Sequence, residues 1–208
     1  MKGETTDLAA LALKTQEVYE RSAEIFDTLR DKSLFERGWL DRFLSLLPER
    51  PAILDLGCGS AEPIAAYLIK CKARVTGLDA SSAMIRLART RYPEGDWRVS
   101  DMRGLDLTER FDGILGWDSF FHLTRDEQRA LLPRMAAHLN FSGLLMVTVG
   151  PGDGEVTGHV GERLVYHASL GIEEYRRILK EVGMRILEFR PNDPDCHGRS
   201  VLLAQRTA

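Results

Sequence analysis

The stretch Ile53-Leu54-Asp55-Leu56-Gly57-Cys58-Gly59-Ser60-Ala61-Glu62-Pro63 decides the fold. Its first four residues form a short apolar run carrying one acid, which reads as a buried strand. Gly57 and Gly59 then let the backbone turn sharply into a helix and approach a ligand that side chains would exclude. A nucleotide-sized ligand is implied, the alternative being a tight strand-to-helix connection with no ligand at all. As a dinucleotide fingerprint of form GxGxxG the segment fails, because Glu62 holds the third glycine position and its carboxylate would repel a pyrophosphate.

Working outward, short apolar runs at 53–56, 74–78, 97–100, 111–117 and 144–149 are separated by helical stretches. Runs without strict alternation fit strands buried on both faces, and their alternation with helices implies right-handed crossovers and a parallel sheet. Thr124 with Glu127 makes a capping box before the helix that precedes the fifth strand. Beyond it, a polar, six-glycine segment from Gly150 to Gly171 reads as a long loop. A helix over 172–182, capped by Gly183, and apolar runs at 184–189 and 200–204 joined by the turn PNDPDCHG complete the pattern with one antiparallel strand. Upstream, Leu8, Leu11, Val18, Ile25 and Leu29 recur at helical spacing and predict an amphipathic helix that covers something. Ser33 and Glu36 predict a capping box for a second helix carrying Leu34, Phe35, Trp39, Leu40, Phe43 and Leu47 and ended by Pro48.

The 208 residues are enough for one substantial core, expected as a single domain with a helical cap over 1–50 and an α/β core over 51–208. Net charge is −3 and the 28 basic and 31 acidic residues are mixed along the chain, so no footprint for nucleic acid is expected. The start MKGETTDLAA has no basic flank and apolar run, and no apolar stretch spans a bilayer; a cytoplasmic protein without membrane contact is expected. Cys58, Cys71 and Cys196 are an odd count without paired spacing, which predicts reduced thiols and no metal site.

Three segments carry ligand chemistry. Asp79 ends the second strand, where a carboxylate accepts hydrogen bonds from both ribose hydroxyls. Asp55 precedes the glycine turn, and the third strand ends in Ser100, Asp101 and Met102, offering a carboxylate for an adenine amine and a thioether against its ring. Ribose and adenine are provided for; phosphate is not.

Together these segments resemble the class I S-adenosylmethionine-dependent methyltransferases. Their first motif is matched by Asp55, Gly57 and Gly59, with Ala61 at the third glycine position; GLDASSAMIRLAR is similar to the second motif, and VSDMRGLDL to the adenine-binding third. The resemblance covers residues 51–149 closely, and the wider chain is similar to small bacterial methyltransferases of unassigned substrate. It implies a Rossmann-like, seven-stranded, mostly parallel sheet with one antiparallel strand and helices on both faces. It also implies S-adenosyl-L-methionine as cofactor, held by Asp55, Gly57, Cys58, Gly59, Ala61, Asp79, Ala80, Met84, Asp101, Met102 and Trp117.

Because a sulfonium is already an activated donor, positioning dominates, and a general base is needed only for a hydroxyl or protonated amine. Asp118 and His122, at the carboxyl end of the fourth strand, are the candidate catalytic groups, although a loop anchor and a helix-flanking contact are the bland alternatives. Tyr19, Trp39, Ser119, Tyr166 and His167 are candidate contacts for a small-molecule acceptor, core packing being the alternative for the aromatics. Asp193, Asp195, Cys196 and His197 include metal-ligand types but read as a hairpin turn. The rival functions are a nucleotide-dependent oxidoreductase, opposed by Glu62, and a non-catalytic S-adenosylmethionine-binding partner protein.

Overall fold

A computed structural model describes residues 7–207. The first six residues, part of the segment read for targeting signals, lie outside the described residues. The chain runs α1 (Leu8–Leu29), α2 (Arg37–Ser45), β1 (Ala52–Leu56), α3 (Ile64–Lys70), β2 (Arg74–Asp79), α4 (Ser82–Arg91) and β3 (Asp96–Val99). It continues through β4 (Phe111–Gly116), α5 (Arg125–His138), β5 (Leu139–Val149), β6 (Gly154–Val160) and β7 (Arg163–Ser169). The last elements are α6 (Ile172–Glu181), β8 (Met184–Asp193) and β9 (Arg199–Arg206).

Seven strands form one sheet in the order β3-β2-β1-β4-β5-β9-β8. All neighbours pair in parallel up to β5, and only β9 runs the other way, between β5 and β8. Both faces are covered, as the apolar strands require: Leu54, Leu56 and Ile114 pack with Leu131 and Met135 of α5 and Leu179 of α6, while Ile53 and Leu115 pack with Phe43 of α2, Leu68 of α3 and Ile85 of α4. Strand order reverses between β1 and β4. A cleft opens at the carboxyl ends of such strands because the connecting helices diverge to opposite faces there.

The capping box of α5 is present, with Thr124 and Glu127 each bonded to the other's backbone. Three local expectations are corrected. The segment read as a long loop is a second, two-stranded sheet of β6 and β7. Its strands close through Gly161 and Glu162, with Gly161 alone at positive φ (59°), the geometry of a tight two-residue hairpin. Glycine content suggested a loop there, but Gly154–Val160 pairs residue for residue with Arg163–Ser169.

The second correction concerns α2, which starts at Arg37 without a side-chain cap. Glu36 is fully buried instead, its carboxylate paired with Arg30. Third, α1 has the expected bounds but turns a different face inward. Ile25 and Leu29 are 59% and 67% exposed, whereas Ala12, Thr15, Ser22, Ala23 and Asp27 are buried. A helix lying over a cleft needs small and polar residues beneath it, so the apolar stripe lost to the ligand-facing side.

Candidate active site

The cleft opens at the carboxyl ends of β1, β2 and β4, with α1 as its outer wall. Gly57 and Gly59 turn there with φ of 77° and 54°. Gly57 N–H and Cys58 N–H both donate to the Leu78 carbonyl, at 2.7 and 3.0 Å, locking the turn to the end of β2. A Cβ on Gly57 would lie 2.4 Å from the Ser119 Cβ. Ser119 is fixed in that place because its hydroxyl donates to the Leu56 carbonyl at 2.6 Å.

Asp79 accepts from Gly59 N–H at 2.9 Å and from Ser81 N–H at 2.8 Å. Burial pushes its carboxyl up to about 6, against the pull of those two donors. Asp55 is only 4% exposed, and burial, with the Asp79 charge adding, raises it to about 7. Two desolvated acids in one wall are matched by a ligand that brings hydroxyl donors or positive charge. On the same wall stand Ala80, Met84, Asp101 and Met102. Asp101 caps the short turn after β3 through Arg103 N–H and pairs with the Arg103 guanidinium at 3.0 Å. Glu62 also lines the cleft, held by Lys32 Nζ at 3.0 Å. Carboxylates outnumber cations, which suits a nucleoside with a sulfonium and excludes a phosphate cradle.

The other end of the cleft is built from distant parts of the chain. Asp118 takes a left-handed backbone (φ 49°), held by its N–H donating to Thr148 Oγ1 at 2.7 Å. Its carboxylate receives both arms of Arg199, at 3.2 and 3.0 Å. His122 Nδ1 lies 2.8 Å from the Tyr166 carbonyl and Nε2 lies 2.8 Å from Tyr19 Oη. A carbonyl only accepts, so Nδ1 carries the proton and Nε2 takes the Tyr19 hydroxyl hydrogen. Burial lowers the imidazole to about 4, so it is neutral at physiological pH. The same desolvation, with the Asp118 charge adding, holds the Tyr19 phenol protonated.

Not every candidate reaches the cleft. Tyr19, Ser119, Asp118, His122, Trp117 and Cys58 line it. Trp117 is buried, and its indole N–H has no hydrogen-bond partner among the described residues. Trp39 is core, its indole donating to Asp193 at 2.8 Å, which corrects its reading as an acceptor contact. Ala61 sits at φ 69° with its methyl buried, and acts through backbone bonds to Cys58 and Ala66. Tyr166 faces α1 and bonds Glu155 through its hydroxyl; only its carbonyl serves the site, through His122. His167 backs the site, its ring 4.8 Å from that of His122. The turn residues are structural: Asp193 holds Trp39 and Asp195 N–H, Cys196 is buried, and His197 stacks on Phe35 at 4.2 Å. Sequence reasoning missed Gln16 and Phe26, which line the cleft from α1, Arg30 at the end of that helix, and Arg199. Nothing local marks them; only the helical spacing from Tyr19 would have placed Gln16 and Phe26 on its face.

Residues 53–143 match the methyltransferase domain family. Over 181 residues the chain is 32% identical to dTDP-4-amino-2,3,4,6-tetradeoxy-D-glucose N,N-dimethyltransferase of Saccharopolyspora spinosa, covering 78% of this chain and 72% of that one. The chain is a class I S-adenosylmethionine-dependent methyltransferase. A more distant relative is trans-aconitate 2-methyltransferase of Azoarcus sp. (strain BH72), 30% identical over 102 residues, 49% of this chain and 40% of that methyltransferase. Among solved structures, the SAM-bound amino pentose methyltransferase of calicheamicin biosynthesis from Micromonospora echinaspora shares the fold with a TM-score of 0.69. It is 21% identical, with 91% of this chain and 97% of that one covered. The cofactor of the methyltransferase is S-adenosylmethionine, in agreement with the carboxylate-rich, phosphate-averse wall.

Proposed function

We propose that this methyltransferase transfers the methyl group to an amine nitrogen of a small-molecule acceptor, of the amino-deoxysugar type. The observation that carries the reading is the Tyr19–His122 pair, whose imidazole is pinned by the Tyr166 carbonyl with its free nitrogen turned toward Tyr19. The Saccharopolyspora relative, named for dimethylating an amino sugar, supports the choice of acceptor class.

On this reading Asp79 and the Gly57–Gly59 turn hold the nucleoside, Asp101 and Met102 its base, and Asp55 faces its positive end. When bound, S-adenosylmethionine supplies an activated methyl on sulfur. The rest is positioning by the chain's own groups. An imidazole titrating near 4 is too weak a base to keep a proton from an ammonium, since each pH unit of mismatch costs 1.36 kcal/mol. Its value lies in staying a hydrogen-bond acceptor across the neutral range. Tyr19 gives its hydrogen to His122 and turns an oxygen lone pair to the acceptor N–H, orienting a neutral amine. The Asp118 carboxylate, held by Arg199, lies close enough to influence Tyr19, His122 and His167 and marks the polar wall the acceptor amine would meet. The surplus proton leaves with the product to water.

The test is methyl transfer from S-adenosylmethionine carrying a ¹³C methyl to a panel of amino-deoxysugar nucleotides and matched hydroxy sugars, followed by carbon NMR. N-methyl signals with the amines alone are expected. Label confined to hydroxyl or carboxylate oxygens would overturn the amine reading.

A further inference from the structure

The polar contacts of α1 divide into two sets that face opposite ends of the cleft. Toward the cofactor end, Gln16 Nε2 donates to the Ala80 carbonyl at 3.1 Å. Beside it the Glu20 carboxylate accepts from Ser81 Oγ at 2.7 Å, Ser82 Oγ at 2.8 Å and Ala83 N–H at 3.1 Å. Two turns later, Asp27 accepts from Ser60 Oγ at 2.5 Å and from Arg91. Toward the acceptor end, Thr15 Oγ1 accepts from Tyr166 N–H at 3.3 Å and Tyr19 meets His122. The helix therefore bridges the two ends, and its fully buried apolar side chains are two alanines, Ala12 and Ala23. Leu8 and Leu11 seat its start on the β6–β7 hairpin, and along the cleft the polar contacts decide where α1 sits.

Among those contacts Glu20 is the one that stands beside both ends. It places a full charge against the first turn of α4, where free N–H groups and the helix dipole favour an anion, and its hydrogen bonds from Ser81 and Ser82 hold its carboxyl below the usual range. Two residues before Ser81 stands Asp79, bonded to Ser81 N–H through its other oxygen. One residue before Glu20 stands Tyr19. The same short stretch of α1 thus touches the ribose turn with one side chain and the acceptor dyad with the next.

We propose that Glu20 is a positioning residue that couples the two ends: by clamping α1 onto the turn carrying Asp79, it sets Tyr19 against His122, so that filling the cofactor end completes the acceptor end. The inference rests on the assignment of those ends made above. Gln16, Tyr19 and Phe26 of α1 line the cleft, so a cofactor seated there meets this helix directly. A cofactor that orders the Ala80–Ala83 turn firms the Glu20 seat and holds the helix against it.

The experiment pairs calorimetry with hydrogen exchange on the full chain, using S-adenosylhomocysteine as the probe. In the wild type, saturating probe should slow exchange along α1 and at Tyr166, whose N–H bonds Thr15. Glu20→Ala should lower affinity about tenfold, within the usual range for coupled sites, and leave Tyr166 exchanging at its free-protein rate even at saturation. Glu20→Gln, which keeps one acceptor oxygen but no charge, should recover only part of both effects, and Ser82→Ala should show a smaller loss from the other side of the contact. Glu20→Gln and Ser82→Ala carry the test should the alanine variant fail to fold by circular dichroism. Wild-type affinity and full Tyr166 protection in the folded variants would overturn the coupling alone. Failure of the wild type to bind the probe would overturn the cofactor assignment, and the coupling with it.

Discussion

The two ends of the cleft are made in different ways. The cofactor end is a run of backbone turns after β1, β2 and β3, all inside the 53–143 segment, and its partners are near in sequence: Asp79 reaches back 20 residues to Gly59 and forward two to Ser81. The acceptor end joins residues far apart, Tyr19 with His122 across 103 positions and Asp118 with Arg199 across 81. A ligand common to many enzymes can be held by a contiguous motif. A ligand peculiar to one enzyme is met by whatever the cap helix, the β6–β7 hairpin and the last strand bring to the rim.

That contrast can be broken by experiment. The largest effect belongs to Asp79→Ala, which strips the acceptor from two partly buried N–H groups; S-adenosylhomocysteine affinity should fall at least 100-fold, about 3 kcal/mol. Gly57→Ala strains the other main element of that end, setting a methyl against Ser119 at positive φ. A stability loss of about 2–3 kcal/mol in urea denaturation is expected.

The acceptor end shows itself through pH. His122 titrates near 4 when folded and near 6.5 when unfolded, so between those values the unfolded chain binds more protons and stability falls as pH drops. The loss relative to His122→Gln should reach about 2 kcal/mol at pH 5. Asp55 and Asp79 are shifted upward and act with the opposite sign, which is why the comparison is made against the variant. Tyr19→Phe sharpens the division further: methyl transfer to an amine acceptor should slow about tenfold while S-adenosylhomocysteine affinity changes less than threefold. The smallest effect is that of Ile25→Gln, within about 0.5 kcal/mol in melting experiments, because this side chain points to water.

The same contrast governs what could be read in advance. The sheet, its single antiparallel strand and the glycines and acids that line one end of the cleft were legible because apolar runs, glycines and terminal acids sit at fixed offsets along the chain. The β6–β7 hairpin was hidden by its glycines, although Gly161 is the residue that its turn demands. The inner face of α1 was hidden because periodicity reports apolar residues, whereas a helix beside a polar cleft buries Thr15, Ser22 and Asp27. Trp39 and Trp117 illustrate the limit of residue type: two buried tryptophans, one donating to Asp193 in the core and one on the cleft wall. Arg199 could not be anticipated, since its role follows from β9 inserting antiparallel beside β5 and delivering the guanidinium to Asp118.

The central claim, that the cofactor draws its affinity from the glycine turn and Asp79 and not from the acceptor dyad, is tested most directly by titrating S-adenosylhomocysteine calorimetrically into wild type, Asp79→Ala and His122→Gln. One-to-one binding is predicted for the wild type, with affinity kept within about threefold in His122→Gln and reduced at least 100-fold in Asp79→Ala. Equal losses in the two variants, or no binding by the wild type, would contradict it.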